Sequence, residues 1–260
     1  MKFLRFSIAL AVLLQPTLAL AQGSPDNRGE IALPSPTYRG ETASAPIPKE
    51  FHVHNEGGSD GAGLCVISSI LCNGRYQGVP NLGVIDPSIP IGQGGKDSPL
   101  WRSAKAAPGG YSPDKLERLL DRVLPDEKWA SYVGTDTDVL DRLSRAGYAI
   151  GATMNTGALY QYQPIHHMIS LVHYRKGGMA CVVDNNDPGK YHWMPASEFD
   201  RRWIDGGIGW AFIWTRKPEP NPLAIPPQVI ALTVLLGLGL RRARLEFFSF
   251  DSDYHPEEWR

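Results

Sequence analysis

The sequence predicts an α+β fold in which a helical part comes first and an antiparallel sheet follows. Two observations support this prediction. From Phe51 to about residue 147, apolar residues recur mainly at the spacing of helices, and from Tyr148 to Thr215 they form short runs separated by turn-forming residues. Strands joined by short turns pair antiparallel, and helices that precede such strands are typical of α+β domains.

The composition limits the class of protein. The chain has 260 residues, of which 42% are hydrophobic and 20% are charged, and its formal net charge is -1. This excludes a disordered or collagen-like chain. Because basic and acidic residues balance, the chain also lacks the positive charge of a nucleic-acid-binding protein. The length fits one domain with extensions at both ends.

The N-terminal residues predict export. Lys2 and Arg5 precede the apolar stretch Ile8–Leu20, which is followed by the small-residue cleavage pattern Ala19–Ala21. We therefore expect residues 1–21 to be a removed signal peptide and the protein to be periplasmic or extracellular. The apolar stretch is too short to favour a membrane span.

Proline distribution marks the domain boundaries. Residues 22–50 contain five prolines among small residues and predict a Pro-rich linker or an extended arm, and the globular domain is expected at 51–216. Residues 217–260 begin with a Pro-rich hinge, continue with the apolar segment Leu223–Leu240 and end in a basic and polar tail. Arginines directly after an apolar segment indicate possible membrane association, although a peripheral helix fits this short segment too.

Four helices are predicted in the domain. The first covers Leu64–Tyr76, and the second starts at the capping pair Ser112–Pro113 and ends near Pro125. Further helices are expected at 137–146 and 195–203, whereas residues 78–111 are rich in proline and glycine and predict mostly loop.

Strands are predicted from residue 148 onward. Tyr148–Thr153 is the first, and His167–Tyr174 and Met179–Val183 form a hairpin through the turn Arg175–Gly178. Residues 207–215 are expected to be the closing strand.

One of the three cysteines has the position of a nucleophile. Cys65 lies in the first turn of the first helix, where free N–H groups and the helix dipole stabilise a thiolate. Gly63 and its neighbours leave room for a substrate, and the Cys65 N–H is placed to donate to an oxyanion. Cys72 and Cys181 lie among apolar residues and are expected to be inert core thiols.

The predicted hairpin supplies a base and an orienting group for such a thiol. His166 and His167 open one strand, and Asp184, Asn185 and Asn186 end its antiparallel neighbour, so the two groups meet at one end of the hairpin. We predict His167 as the base, because it begins the apolar run. A two- or four-residue turn places Asp184 and Asn186 on the face of His167, and a three-residue loop with a bulge places Asn185 there.

These residues resemble the papain-like cysteine peptidase superfamily, especially bacterial peptidases that cleave after double-glycine leaders. The resemblance rests on Gly61–Val66 around Cys65, on His167 and on Asp184–Asn186, with Ser197–Phe199 and Trp203 matching the short helix after the hairpin. It implies a papain-like fold with Cys65 as nucleophile, His167 as general base and Asp184 or Asn185 as the orienting group.

The sequence departs from this family at one position. The family usually has an oxyanion-donating glutamine six positions before the cysteine, where this chain has Ser59. The expected function is a peptidase or amidase that acts on a peptide or amide substrate and needs no cofactor. A non-catalytic binding module and a transglutaminase-like acyl transferase are the alternatives. No zinc-ligand spacing is present in the sequence, so no metal is expected.

Overall fold

The structure is a computed structural model that describes residues 29–57, 63–107, 109–155, 166–204 and 208–216; for His166 it describes the backbone only. The expected signal peptide, Ser59 and the segment from residue 217 onward lie outside the described residues.

The helices agree with most of the expected boundaries. Their bounds are Cys65–Tyr76 (α1), Pro99–Ala106 (α2), Pro113–Val123 (α3), Asp138–Arg145 (α4) and Ala196–Trp203 (α5), with a single 3-10 turn at Lys49–Phe51. The Ser112 side chain caps α3 by accepting a hydrogen bond from the Lys115 N–H, as its position before Pro113 predicted.

Within the described residues, nine strands build two antiparallel sheets. Their bounds are Ile31–Leu33 (β1), Thr37–Tyr38 (β2), Glu41–Thr42 (β3), Trp129–Gly134 (β4), Ile150–Asn155 (β5), His166–Tyr174 (β6), Met179–Val183 (β7), Tyr191–Pro195 (β8) and Gly209–Trp214 (β9). Seven strands form one sheet in the order β1-β8-β7-β6-β5-β9-β4, and β2 pairs with β3. The α+β class is therefore confirmed.

The large sheet is covered by helices on both faces. Alternating residues of β6 and its neighbours pack into two separate buried clusters. One cluster joins Ile67 and Ile70 of α1 to Met168, and the other joins Leu140 of α4 and Phe199 of α5 to the opposite face of the sheet. This arrangement holds the start of α1 beside the strands that carry the predicted histidine.

The described part of the Pro-rich segment packs against the domain as an arm and is not a free linker. We call residues 29–47 the N-terminal arm. Its strand β1 pairs with β8 at one edge of the large sheet, and Ala43, Ala45 and Ile47 are buried in the core. Prolines are compatible with edge strands and extended segments. The buried residues of the arm are mostly alanines, so its sequence lacks the strong apolar pattern that predicts a strand.

Besides the short strands of the arm, three elements were not predicted. Helix α2 lies inside the stretch 78–111 that predicted loop, and β4 and β8 were not expected. Strand β8 is buried along most of its length and includes His192, so its sequence shows no apolar-polar alternation. Among the described residues, no helix has the length and apolar character needed to cross a membrane.

Candidate active site

Cys65 is the first residue of α1, and its helix end has no capping side chain. The residue before it, Leu64, makes no side-chain cap, so the first N–H groups of the helix remain available near the thiol. The Leu64 N–H donates to the Glu56 carbonyl at 3.0 Å, which fixes the start of the helix.

Lysines around α2 hold the loop that leads to Cys65. Lys105 of α2 donates to the Gly57 carbonyl at 2.5 Å, and both Lys105 and Lys96 pair with the Glu56 carboxylate. Gly57 and Gly63 form an isolated antiparallel bridge close to the start of α1. The helix that the sequence did not predict thus supports the approach to the candidate nucleophile.

The structure brings His167 and Asp184 together at the end of the predicted hairpin. The His167 Nε2 atom donates to the Asp184 Oδ1 atom at 2.8 Å, and both side chains are almost fully buried. The Asn186 backbone N–H donates to the same carboxylate oxygen at 2.8 Å. Because Nε2 is used in this way, Nδ1 is the ring atom left for the Cys65 thiol, which lines the same cleft as His167.

The electrostatics of the site favour a thiolate paired with an imidazolium. Burial raises the pKa of Cys65, but the hydrogen bond and charge of His167 and the N–H groups of Met168 and Val66 outweigh it, so that the pKa lies below its ordinary value. Burial lowers the pKa of His167, but its hydrogen bonds to Asp184 and Cys65 raise it to about 9.

A β-bulge decides which residue accompanies His167. The hairpin loop has three residues, because the Arg175 N–H donates to the Met179 carbonyl and Lys176–Gly178 lie outside the pairing of β6 with β7. By itself this loop would place Asn185 on the face of His167. The pairing shifts by one residue at Val172, however, from Leu171↔Val182 to His173↔Cys181. This second irregularity shifts the alternation of side chains by one residue, so that Asp184 lies on the face of His167.

The Asn185 side chain instead connects two elements of the fold. Its side-chain Nδ2 atom lies 3.1 Å from the Cys65 carbonyl, 2.9 Å from Ser69 Oγ and 2.8 Å from the Met168 carbonyl. It therefore joins the first turn of α1 to β6. Of the two residues expected as the orienting group, Asp184 is the one whose side chain contacts the His167 ring. His166 pairs with Asn155 through its backbone, and its side chain is outside the description.

A cleft of about 600 Å³ opens beside Cys65 and His167. Its apolar walls come from six residues: Val66, Tyr111, Pro113, Met168, Ile208 and Trp210. Gly63 and Gly110 add backbone to its surface, and no Lys, Arg, Asp or Glu is among the described residues that line it. The predicted proximity of Gly63 to the site is therefore observed, whereas Ser59 lies outside the described residues.

Sequence reasoning missed Asn55, which also lines this cleft. The Asn55 backbone N–H donates to the Asn185 carbonyl at 2.8 Å, and its side-chain Nδ2 donates to Asn186 Oδ1 at 3.0 Å. A Cβ atom on Gly63 would lie only 3.3 Å from Nδ2, so glycine is what allows the amide to approach the residues before Cys65. No local signal marked Asn55, because its position depends on contacts with the distant β7 end.

A buried charged cluster lies close to Asp184. His192 Nδ1 is 2.8 Å from Glu30 Oε1, and Arg202 Nη1 donates to Glu30 Oε2 at 2.7 Å. Burial raises the pKa of Asp184, but the bond to His167 and the nearby charges, including His192, keep the pKa of this carboxyl below its ordinary value.

The other two thiols differ from Cys65. Cys72 and Cys181 are free and buried. Burial raises the pKa of Cys72 to about 12 and that of Cys181 well above its ordinary value. Within the described part of the chain, no group of three or more His, Cys, Asp or Glu residues is placed to hold a metal ion.

No protein-family model matches the sequence, and none of the curated proteins compared with it is significantly similar.

Proposed function

We propose that the protein is a cysteine-dependent hydrolase of peptide or amide bonds with a papain-like fold. The observation that carries this proposal is that Cys65, at the free end of a helix, lines one cleft with His167, whose ring is bonded to Asp184. A thiol, an imidazole and a carboxylate in this order are the groups that nucleophilic acyl transfer requires.

The mechanism follows from these contacts. The Cys65 thiolate attacks the substrate carbonyl carbon, and the C=O electron pair moves to the oxygen to form an oxyanion. When the C–N bond breaks, the His167 imidazolium gives its proton to the leaving amine, and a thioester remains on Cys65. Water, deprotonated by His167, then attacks the thioester, and collapse of the second oxyanion releases the acid and regenerates the thiolate, which takes up its pairing with the imidazolium.

The backbone N–H of Cys65 and the side-chain amide of Asn55 are the proposed oxyanion donors. The first belongs to the uncapped end of α1, and the second lines the same cleft. Asn55 thus takes the role that the resemblance implied for position 59. The uncharged, largely apolar walls favour substrates without charges next to the scissile bond.

The test is selective alkylation of the thiols. At about pH 6, iodoacetamide should label Cys65 far faster than Cys72 and Cys181, because only Cys65 has a lowered pKa. Peptide mass mapping measures the three rates in one sample. His167→Ala should abolish the advantage of Cys65, and His166→Ala should leave it intact.

The same experiment separates the alternatives. Labelling of Cys65 no faster than a free thiol would contradict the proposal and favour a non-catalytic binding module. If Cys65 is reactive, addition of an amine to an acylated enzyme tests the transglutaminase-like alternative, since hydrolysis and transfer differ only in the acceptor.

Export and membrane association complete the proposal. Both rest on sequence segments, the expected signal at 1–21 and the apolar stretch at 223–240, that lie outside the described residues. Deletion of residues 223–260 should move the protein from the membrane fraction to the soluble fraction. Recovery of the intact chain in the soluble fraction would contradict this part.

A further inference from the structure

The bulge at Val172 lies where the N-terminal arm meets β6. The pairing of β5 with β6 ends at Ile150↔Leu171, so the next β6 residues lose their neighbour on that side. The Ala45 N–H of the arm donates to the Val172 carbonyl at 2.8 Å, and Ser144 Oγ accepts the Tyr174 N–H at 2.8 Å. Groups from outside the sheet therefore satisfy the backbone of the bulge.

The arm also binds the side chain that follows the bulge. His173 Nδ1 lies 2.9 Å from Ser44 Oγ, and its Nε2 lies 3.2 Å from Glu41 Oε2. The His173 ring packs against Trp193, which belongs to the same buried cluster as Val172. Two consecutive residues of β6, Val172 and His173, thus pack toward the same face, and the arm holds both of them.

The register on either side of the bulge determines the composition of the triad. Before Val172, Ser170 pairs with Val183, and this register puts Asp184 on the face of His167. If the register after the bulge, His173↔Cys181, continued along β6, the same face would hold Asn185. A carboxylate would then be replaced by an amide beside the imidazole.

We infer that the N-terminal arm is a positioning element of the active site, because its contact with the bulge at Val172 holds β6 in the register that selects Asp184 rather than Asn185. The inference rests on the proposed function, since it concerns the same triad. The arm does not touch the reacting atoms and acts through the strand. The described arm is accordingly part of the active enzyme and not a segment whose removal activates it.

The test uses Ala45→Pro in the full chain. Proline lacks the N–H that binds the Val172 carbonyl. Ser44→Ala is a milder variant that removes the hydroxyl from His173. The matched control is Tyr38→Ala, which removes an arm contact with Trp193 but none with the bulge. For each folded variant, the rate of Cys65 alkylation by iodoacetamide is measured as a function of pH.

The expected result is a loss of thiolate character. Ala45→Pro should lower the alkylation rate at about pH 6 by roughly tenfold and move the pH profile upward, because an amide stabilises the imidazolium less well than a carboxylate. Ser44→Ala should give a smaller change in the same direction. Tyr38→Ala should lower the melting temperature and leave the profile unchanged.

A double substitution makes the test specific for register. Asp184→Ala should slow alkylation strongly in the wild-type background and only weakly together with Ser44→Ala or Ala45→Pro, because the contact is already weakened there. The inference is wrong if the effects of the two substitutions on the alkylation rate add fully. It is also wrong if the bulge variants have the same pH profile as Tyr38→Ala. In either case the proposed function still stands. If Ala45→Pro does not fold, Ser44→Ala decides by the same criteria. Absence of an activated Cys65 in the wild-type protein would overturn both proposals.

Discussion

Asp184 and Asn185 are adjacent residues with different expected tasks. Asp184 holds the His167 ring, so Asp184→Ala should lower turnover by about 10²–10⁴-fold and leave the fold intact. Asn185 joins α1 to β6 through buried contacts, so Asn185→Ala should lower the free energy of unfolding by about 1–3 kcal/mol. Steady-state kinetics and chemical denaturation of both variants measure the two effects.

The contrast between these variants is the control. Both replace a buried polar side chain by alanine at neighbouring positions, so a general loss of packing affects both. Equal losses of turnover in the two variants, at equal folded fractions, would mean that Asp184 has no special relation to His167.

Asn55 offers a prediction that separates two steps of the chemistry. Asn55→Ala should slow acylation of Cys65 by p-nitrophenyl acetate by about 10²–10³-fold, since an oxyanion forms in that reaction. Alkylation by iodoacetamide forms no oxyanion and should keep its rate. A stopped-flow burst of p-nitrophenolate measures the first rate, and mass mapping measures the second. Equal losses in both reactions would show that Asn55 only supports the thiol.

The sequence was sufficient to predict some residues of the candidate site and insufficient for others. Cys65 and His167 follow from local patterns, a helix start and a strand start. The choice between Asp184 and Asn185 depends on a bulge at Val172, which is fixed by contacts with the N-terminal arm. When such a bulge is present, the sequence alone does not show which residues of the two strands share a face.

At the scale of elements, α1 packs closely against the sheet through Gly74. A Cβ atom there would collide with Leu82 and would lie 2.7 Å from Trp214 Nε1. Alanine normally favours a helix, but here overpacking should dominate, and Gly74→Ala should lower the free energy of unfolding by about 1–3 kcal/mol. Thermal unfolding measures the change.

A second glycine provides the comparison. A Cβ atom on Gly110 would meet nothing within 4 Å, so Gly110→Ala should leave the melting temperature nearly unchanged. A Gly74→Ala variant as stable as Gly110→Ala would mean that α1 can move away from β9 without cost.

Elements with a clear period or cap were predictable, and elements defined by their neighbours were not. Helix α3 has a Ser-Pro start and a regular apolar stripe, and α1 has an apolar stripe. Helix α2 begins at a similar pair, Ser98–Pro99, but it has few apolar residues and lies after a long proline- and glycine-rich stretch, so this cap alone did not predict it. Strand β1 has three residues and is stabilised by pairing with β8. No local sequence pattern predicts this pairing.

The molecule as a whole should lose stability as the pH falls from about 6.5 to about 4. His52 is buried, and burial lowers its pKa to about 4, although its bond to the Ile47 carbonyl opposes this. In the unfolded chain His52 takes up a proton near pH 6.5, so protonation favours unfolding between these values. The contribution is at most about 3 kcal/mol and is fully present above pH 6.5. Urea denaturation at several pH values measures it.

His52→Gln is the variant that isolates this contribution. Its free energy of unfolding should depend less on pH between 4 and 6.5 than that of the wild type, whatever its absolute stability. His173, whose pKa burial also lowers, remains in the variant and accounts for part of the residual slope. An unchanged slope would show that His52 does not control the acid sensitivity.

The pairing of β1 with β8 has a consequence for the order in which the chain assembles. Glu30, next to β1, binds a histidine 162 positions further along the chain, so a ribosome must complete most of the protein before the first strand finds its neighbour. The contact of the arm with the bulge likewise forms only after β6 has been synthesised. A nascent chain therefore carries Cys65 early as an ordinary thiol, and the proposed activity arises only when the ends of the domain have met.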